Sequence, residues 1–200
     1  MKKNIKWIVC FSSLIIFLIL GYFVGTNSEL GFDSYVYKYI SCIINDNFTH
    51  IVKFITFLGS ATIVILITLI CFIFIKNKKI SIYILLNLMC ITVFQYLLKF
   101  IFARPRPIGI NLIEETNYSF PSGHSLTAMA FYGFIIYLIY KSNLKYKKIF
   151  ILLLGLLILL IGLSRVYLGV HFITDILGGF TFSISYLIIY TNIIKNKIAL

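Results

Sequence analysis

Six stretches without Asp, Glu, Lys, Arg or His set the terms on which this chain can fold. They lie between Lys6 and Glu29, Lys53 and Lys76, Lys79 and Lys99, His124 and Lys141, Lys148 and Arg165, and Asp175 and Lys195. Water-soluble domains are about 45–50% apolar and about 25% charged. Here 60% of residues are hydrophobic, only 12% are charged, and the mean hydropathy is +1.01. So few charges cannot solvate the surface of a 200-residue globule, so the bilayer is the solvent. About 20 apolar residues cross about 30 Å of hydrocarbon. The sequence therefore predicts an all-α polytopic membrane protein with a single domain over residues 1–200. Its six spans fall at about 5–26, 52–75, 80–99, 121–140, 149–165 and 171–194.

The net charge of +12 could suggest a nucleic-acid partner, but its distribution argues against one. Lysines 2, 3, 6, 76, 78, 79, 141, 145, 147, 148, 195 and 197 occupy one alternate set of inter-span segments, with no acid among them. The other set holds Lys38, Lys53, Lys99, Arg104, Arg106 and Arg165, balanced by all six acids: Glu29, Asp33, Asp46, Glu114, Glu115 and Asp175. This is the positive-inside asymmetry of a multispanning protein. It predicts a plasma-membrane location, both termini cytoplasmic and the balanced segments outside. No soluble basic face exists for nucleic acid. Cys10, Cys42, Cys71 and Cys90 show no metal-binding or CxxC spacing and read as buried thiols.

Lys2, Lys3 and Lys6 before an apolar run resemble a signal peptide, but Trp7 to Val24 is long for a signal core and no A-x-A site follows. A retained first span is expected. After it, Val36, Ile40, Ile43 and Ile44 recur at helical spacing between Asp33 and Asp46. This predicts a short helix on the outer membrane surface, with Asp33 as its cap. It could cover a substrate entrance or serve packing alone. The fourth and fifth spans have only 16 uncharged residues each, about 24 Å at 1.5 Å per residue. They must borrow flanking residues, Pro121 to His124 and Ser164-Arg165, at the depth of a phospholipid phosphate.

Those flanks carry the chemistry, because charged residues at membrane depth are costly and mark function. His171 and Asp175 stand four apart at the start of a predicted helix and so share a face. A carboxylate on one ring nitrogen fixes the tautomer and leaves the other free to attack. A polar pair joining two helices is the alternative. Arg165 precedes His171 by six residues, with Gly169 allowing a tight turn between them. Lys99 and Arg106 sit at the end of the third span and in the outer loop. Three cations on one face repel unless an anion lies between them, and arginine forks fit phosphoryl oxygens. Each cation could instead anchor lipid head groups, and Arg104 is the clearest candidate for that anchoring role. Pro121-Ser122-Gly123-His124 opens the fourth span, where a proline-led helix start with free N–H groups attracts anions. His124 beside that anion could protonate a leaving oxygen. A plain helix start is the alternative. Asp175 is the only carboxylate in these motifs, so no metal or other cofactor is expected.

Lys99-x6-Arg106-Pro107, then Pro121 to His124, then Ser164-Arg165-x5-His171-x3-Asp175 resembles the three-part signature of the type-2 phosphatidic acid phosphatase superfamily. The run from Ser164 to Phe172 looks especially like small bacterial lipid phosphatases of the phosphatidylglycerophosphatase B type. The resemblance implies catalysis by His171, His124 and Asp175 through a phosphohistidine on His171. It implies phosphate contacts from Lys99, Arg106, Ser122, Gly123 and Arg165, with the spacing favouring Arg106 over Arg104. It implies a lipid phosphate as substrate: phosphatidylglycerophosphate, undecaprenyl pyrophosphate or phosphatidic acid. Membrane lipids are the other expected partners, and no obligatory protein partner is evident. A lipid phosphotransferase and a non-catalytic lipid-phosphate-binding protein are the alternatives. Vanadium haloperoxidases share similar motifs, but as soluble proteins they do not suit this composition.

Overall fold

The structure is a computed structural model that describes residues 3–26, 30–109 and 111–198. Lys2 and Glu29 lie outside the described residues. Among the described residues eight helices follow in order: α1 (Lys3–Thr26), α2 (Gly31–Ser41), α3 (Asp46–Phe57), α4 (Ala61–Phe74), α5 (Lys78–Phe102), α6 (Gly123–Lys141), α7 (Lys147–Tyr167) and α8 (Ile173–Ile194). Helices α1, α5, α6, α7 and α8 are each long and apolar enough to span a bilayer, and α3 with α4, bent by 46° between them, together have the length and apolarity of a sixth.

The broken span departs from the expected single helix over 52–75. Asn45 caps α3, accepting the Asn47 N–H at 3.0 Å, so helix begins six residues earlier than expected. At Leu58-Gly59-Ser60 the axis bends by 46° and Ser60 caps α4. Gly59 is needed there because a Cβ would stand 2.6 Å from Ile161 of α7 and 3.4 Å from the His124 ring. The glycine thus lets the chain fit closely against α7 and the start of α6.

Helix α6 is the centre, packed on α5, α7 and α8, while α1 lies against α8 and α3 against α7. Leu126, Phe131 and Phe134 of α6 are fully buried, with Ile91 of α5 and Ile161 of α7 in the same core. Lipid tails are as apolar as these side chains, so close packing and interhelical hydrogen bonds hold such a bundle together. Gly179 of α8 serves the first: a Cβ there would meet the Leu126 N and the Ser122 O at 3.0 Å. The second comes from the Ser183 hydroxyl to the Leu126 carbonyl (2.8 Å), the Ser185 hydroxyl to the Cys10 carbonyl (2.9 Å) and the Asn87 amide to the Ala130 carbonyl (3.0 Å). The bundle's outer faces are studded with exposed Ile, Leu and Phe, the surface that lipid covers. Cys10 is buried, but Cys90 lies exposed on α5 and Cys42 exposed after α2, so the expectation of buried thiols fails for these two.

Helix α2 is present and amphipathic, as expected of a surface helix. Ile40 and Ile44 pack on Val52, Tyr167, Leu168 and Val170, while Phe32, Tyr35 and Tyr39 point outward. Asp33 is not its cap. Leu30 holds that position, and Asp33 instead turns inward, fully buried, to accept the Thr174 N–H at 3.0 Å at the start of α8. One carboxylate thereby satisfies an orphan donor of a different helix.

Candidate active site

The chain ends of α5, α6 and α7, the loop over 103–122 and the turn over 168–172 meet at one end of the bundle. A cavity of about 550 Å³ opens there, with Lys99, Arg106, Glu115, Asn117, His124 and His171 at its polar end. Its remaining walls are mainly apolar: Val64 and Ile65 of α4, and Leu85, Leu88, Met89 and Val93 of α5. Met89, Val93 and Tyr96 are exposed, so the cavity opens sideways between these two helices.

His171 precedes α8 by two residues instead of lying within it, so the shared helix face expected of His171 and Asp175 is not what joins them. Asp175 is the third residue of α8, and its carboxylate reaches back to the Phe172 N–H at 2.9 Å. Acidic side chains at that position suit a helix N-terminus. The same oxygen, Oδ2, lies 3.2 Å from His171 Nδ1. Gly169 makes the turn possible: at φ +76° it occupies the left-handed region just past the end of α7, as terminal glycines do. His171 Nε2 is left facing the cavity, 3.2 Å from Arg106 Nη1. Burial pushes the imidazole's pKa down to about 3, against the opposing hydrogen bond and charge of Asp175. A neutral ring carrying its proton on Nδ1 would share it with Asp175 and turn its Nε2 lone pair toward Arg106 and the cavity.

The loop between α5 and α6 holds all three cations, with Thr56 of α3 adding to its grip on Arg165. Lys99 donates to the Asn117 Oδ1 at 3.2 Å and to the Tyr118 carbonyl. Arg106 donates from Nε to the Asn117 carbonyl at 2.6 Å and from Nη1 to the Val170 carbonyl at 2.7 Å. Arg165 donates to the Thr56 hydroxyl at 2.9 Å and pairs with Glu115, whose other oxygen lies 3.5 Å from Arg106. The buried Arg165 Nε has no hydrogen-bond partner among the described residues. Pro121 precedes the helix and Ser122 is its cap, so α6 begins two residues later than expected. The Ser122 N–H is taken by the Asp175 carbonyl at 3.1 Å, and its oxygen accepts the Ser125 hydroxyl at 3.2 Å. Gly123 has the Gln95 side chain 2.8 Å from where its Cβ would be.

All eight residues singled out in the sequence join one continuous network or line the cavity directly. Ser122 joins through its backbone, and neither it nor Arg165 lines the cavity. Four residues were missed. Glu115 supplies the anion between two cations whose mutual repulsion the sequence had resolved with phosphate alone. Asn117 bridges Lys99 and Arg106. Thr56 meets Arg165 from the broken span. Ser119, fully buried, donates to Asp175 Oδ2 and lies 3.2 Å from His171 Nδ1. Its place two residues before Pro121 was the only available signal. Arg104 is the clearest reversal. Expected to anchor head groups, it is 1% exposed and ion-paired to Asp33 at 2.7 Å and Asp175 at 2.6 Å. Among the described residues no group of three or more His, Cys, Asp and Glu side chains could hold a metal ion.

The fold is shared with two solved structures. It superimposes on the crystal structure of a transmembrane PAP2-type phosphatidylglycerolphosphate phosphatase from Bacillus subtilis with a TM-score of 0.86, at 31% identity over 95% of this chain and 97% of that one. LpxE of Aquifex aeolicus aligns at a TM-score of 0.67, with 27% identity over 82% of this chain and 98% of that one. In sequence, phosphatidylglycerophosphatase B of Bacillus subtilis (strain 168) is 47% identical over 81 residues, which are 39% of this chain and 40% of that protein. Undecaprenyl-diphosphatase of Sulfolobus acidocaldarius is 28% identical over 189 residues, 90% of this chain and 86% of that one. The PAP2 superfamily model matches residues 80–199, which include every residue of the signature. The chain belongs to the PAP2 superfamily, among its multi-pass membrane members.

Proposed function

We propose that this protein hydrolyses the phosphate ester or diphosphate of a membrane lipid, without a metal, through a phosphohistidine on His171. The observation that carries this reading is the cavity's two-sided character. Two histidines and two cations stand at its polar end, and apolar residues of α4 and α5 run from there along a side open to lipid. From Lys99 to Leu85 is 14 residues of α5, about 21 Å of rise, enough to accompany much of an acyl or prenyl chain.

In the proposed reaction Lys99, Arg106 and Arg165 bind the nonbridging phosphoryl oxygens, with the unpartnered Arg165 Nε available to one of them. The Gly123 N–H at the start of α6 adds a donor of the kind that stabilises developing charge, and Ser122 holds that helix start in place as its cap. His171 Nε2 attacks phosphorus, and the bond to the lipid oxygen breaks as His124 protonates that oxygen. Asp175 stabilises the positive charge that develops on His171. Water then attacks the phosphohistidine, His124 takes its proton, the P–N bond breaks, and inorganic phosphate leaves. Fixed cations and backbone donors carry the electrostatic work. The lysine distribution supports an outward-facing site with both termini in the cytoplasm.

Phosphate release by the purified protein in detergent tests this. Phosphatidylglycerophosphate, phosphatidic acid and undecaprenyl pyrophosphate are to be compared at matched surface concentration, with and without chelator. Release is expected to survive chelation, to be blocked by vanadate, and to fall at least about 10³-fold in His171→Ala, the scale seen when a nucleophile is removed. Chelator-sensitive release, or release that persists in His171→Ala, counts against the mechanism.

A further inference from the structure

Arg104 is among the largest fully buried side chains of the protein. A buried guanidinium is costly unless its donors and charge are matched, and here the match is made by two carboxylates. Nη1 donates to Asp175 Oδ1 at 2.6 Å and to the Thr174 hydroxyl at 2.8 Å, and Nη2 donates to Asp33 Oδ2 at 2.7 Å. The Phe172 ring lies 4.1 Å from the guanidinium carbon. The Arg104 carbonyl accepts the Ser119 N–H at 2.8 Å, so the same residue also fixes the serine beside His171.

This divides the two oxygens of Asp175. Oδ1 is given to Arg104, while Oδ2 serves His171, Ser119 and the Phe172 N–H. With Oδ1 pinned, the carboxylate cannot turn away from Nδ1 of His171. Charge follows the same logic. Asp33, Asp175 and Arg104 sum to −1 beside a neutral imidazole, and the group becomes neutral when His171 turns positive on attacking phosphorus. Without Arg104, two buried carboxylates would repel, and proton uptake by Asp175 would cancel its help to the imidazolium. Without Asp33, the whole guanidinium charge would oppose that of the imidazolium.

We propose that Arg104, set in place by Asp33 of α2, is a positioning residue for the hydrolysis: it fixes Asp175 against His171 and ties the surface helix to the nucleophile. This rests on reading His171 as the nucleophile. Arg104→Gln, Arg104→Lys and Asp33→Asn test it in the full-length protein, with kcat and KM measured on monodisperse material and inorganic phosphate as a competitive probe of anion binding. Outer partners of a reacting group are worth about 10–100-fold. Accordingly, Arg104→Gln is expected to lower kcat about 100-fold and Asp33→Asn about 10-fold, with KM and phosphate inhibition within about threefold because neither residue touches the anion. Arg104→Lys should recover about a tenth of the wild-type kcat, since charge remains without the fork.

A kcat within about threefold of wild type in both Arg104→Gln and Asp33→Asn overturns the proposal. So does a rise in KM at unchanged kcat, which would make Arg104 a substrate-binding residue. Failure of both Asp33→Asn and Arg104→Lys to yield monodisperse protein would assign the pair to stability and also overturn it; if only Arg104→Gln fails, Asp33→Asn decides. A wild type that releases no phosphate, or an active His171→Ala, sinks the reading of the site itself. Wild-type activity with these variants unaffected sinks only the role given to Arg104.

Discussion

Glu115 shows how a single side chain changes the electrostatics of a pocket. Its carboxylate spans Arg165 and Arg106, where an incoming phosphate would sit between the same two guanidinium groups. It is partly exposed, so its hold on them is weakened by solvent, but it still competes with phosphate for their donors. Glu115→Gln is therefore expected to lower the inhibition constant for inorganic phosphate by about 3–10-fold, the effect of removing one nearby like charge. A raised constant would show that Glu115 orients the arginines instead of screening them. Sequence spacing identified Lys99, Arg106, Arg165, His124, His171 and Asp175 because signature chemistry fixes their intervals. It could not find Glu115, Asn117 or Thr56, since their roles depend on where a loop and a broken helix fold back. Arg104 was misread for the same reason: an arginine beside a span end looks interfacial until its carboxylate partners, 71 positions away on either side, are known.

At the scale of elements, the proposed pairing of His171 with Asp175 depends on a turn. Gly169 at φ +76° reverses the chain after α7 and sets His171 against Asp175. An L-residue in that region costs about 1–2 kcal/mol. Gly169→Ala is expected to destabilise the protein by about that amount and, since small misplacements of reacting groups are expensive, to reduce kcat by about 10-fold or more. Thermal unfolding in detergent and initial rates check the two effects separately, and an unchanged kcat would mean that the turn is not what places His171. Glycine at this position was legible in the sequence, as were the six apolar runs. The break at Leu58-Gly59-Ser60 was not, because Ser and Gly also occur inside spans, and only the neighbouring Ile161 and His124 show why a glycine stands there.

For the whole molecule, the cavity and the charge asymmetry each make a testable demand. Val93 lines the opening between α4 and α5 and is exposed toward lipid. Val93→Trp is expected to raise KM for a long-chain lipid phosphate several-fold, by obstruction of a preformed pocket, while leaving a short soluble phosphate ester unaffected. Equal effects on both would place substrate entry elsewhere. Cys42 is exposed just after α2, while Cys10, Cys71 and Cys90 lie within helices α1, α4 and α5. A membrane-impermeant maleimide should label Cys42 in intact cells if the positive-inside reading is right, and protection of Cys42 until the membrane is permeabilised would reverse the orientation.

Composition and charge order by themselves determined the solvent, the number of crossings and the end of the bundle where polar residues gather. These are one-dimensional consequences of the cost of placing charge in hydrocarbon. Tertiary structure decided which charges neutralise which. A buried ion pair requires both partners at contact distance and fixed angle, and the residues that meet here, Asp33 with Arg104 and Asp175, or Glu115 with Arg106 and Arg165, are separated along the chain by tens of positions in most cases. No local pattern encodes such a meeting. It follows only once α6 has drawn α5, α7 and α8 around itself and brought their ends together.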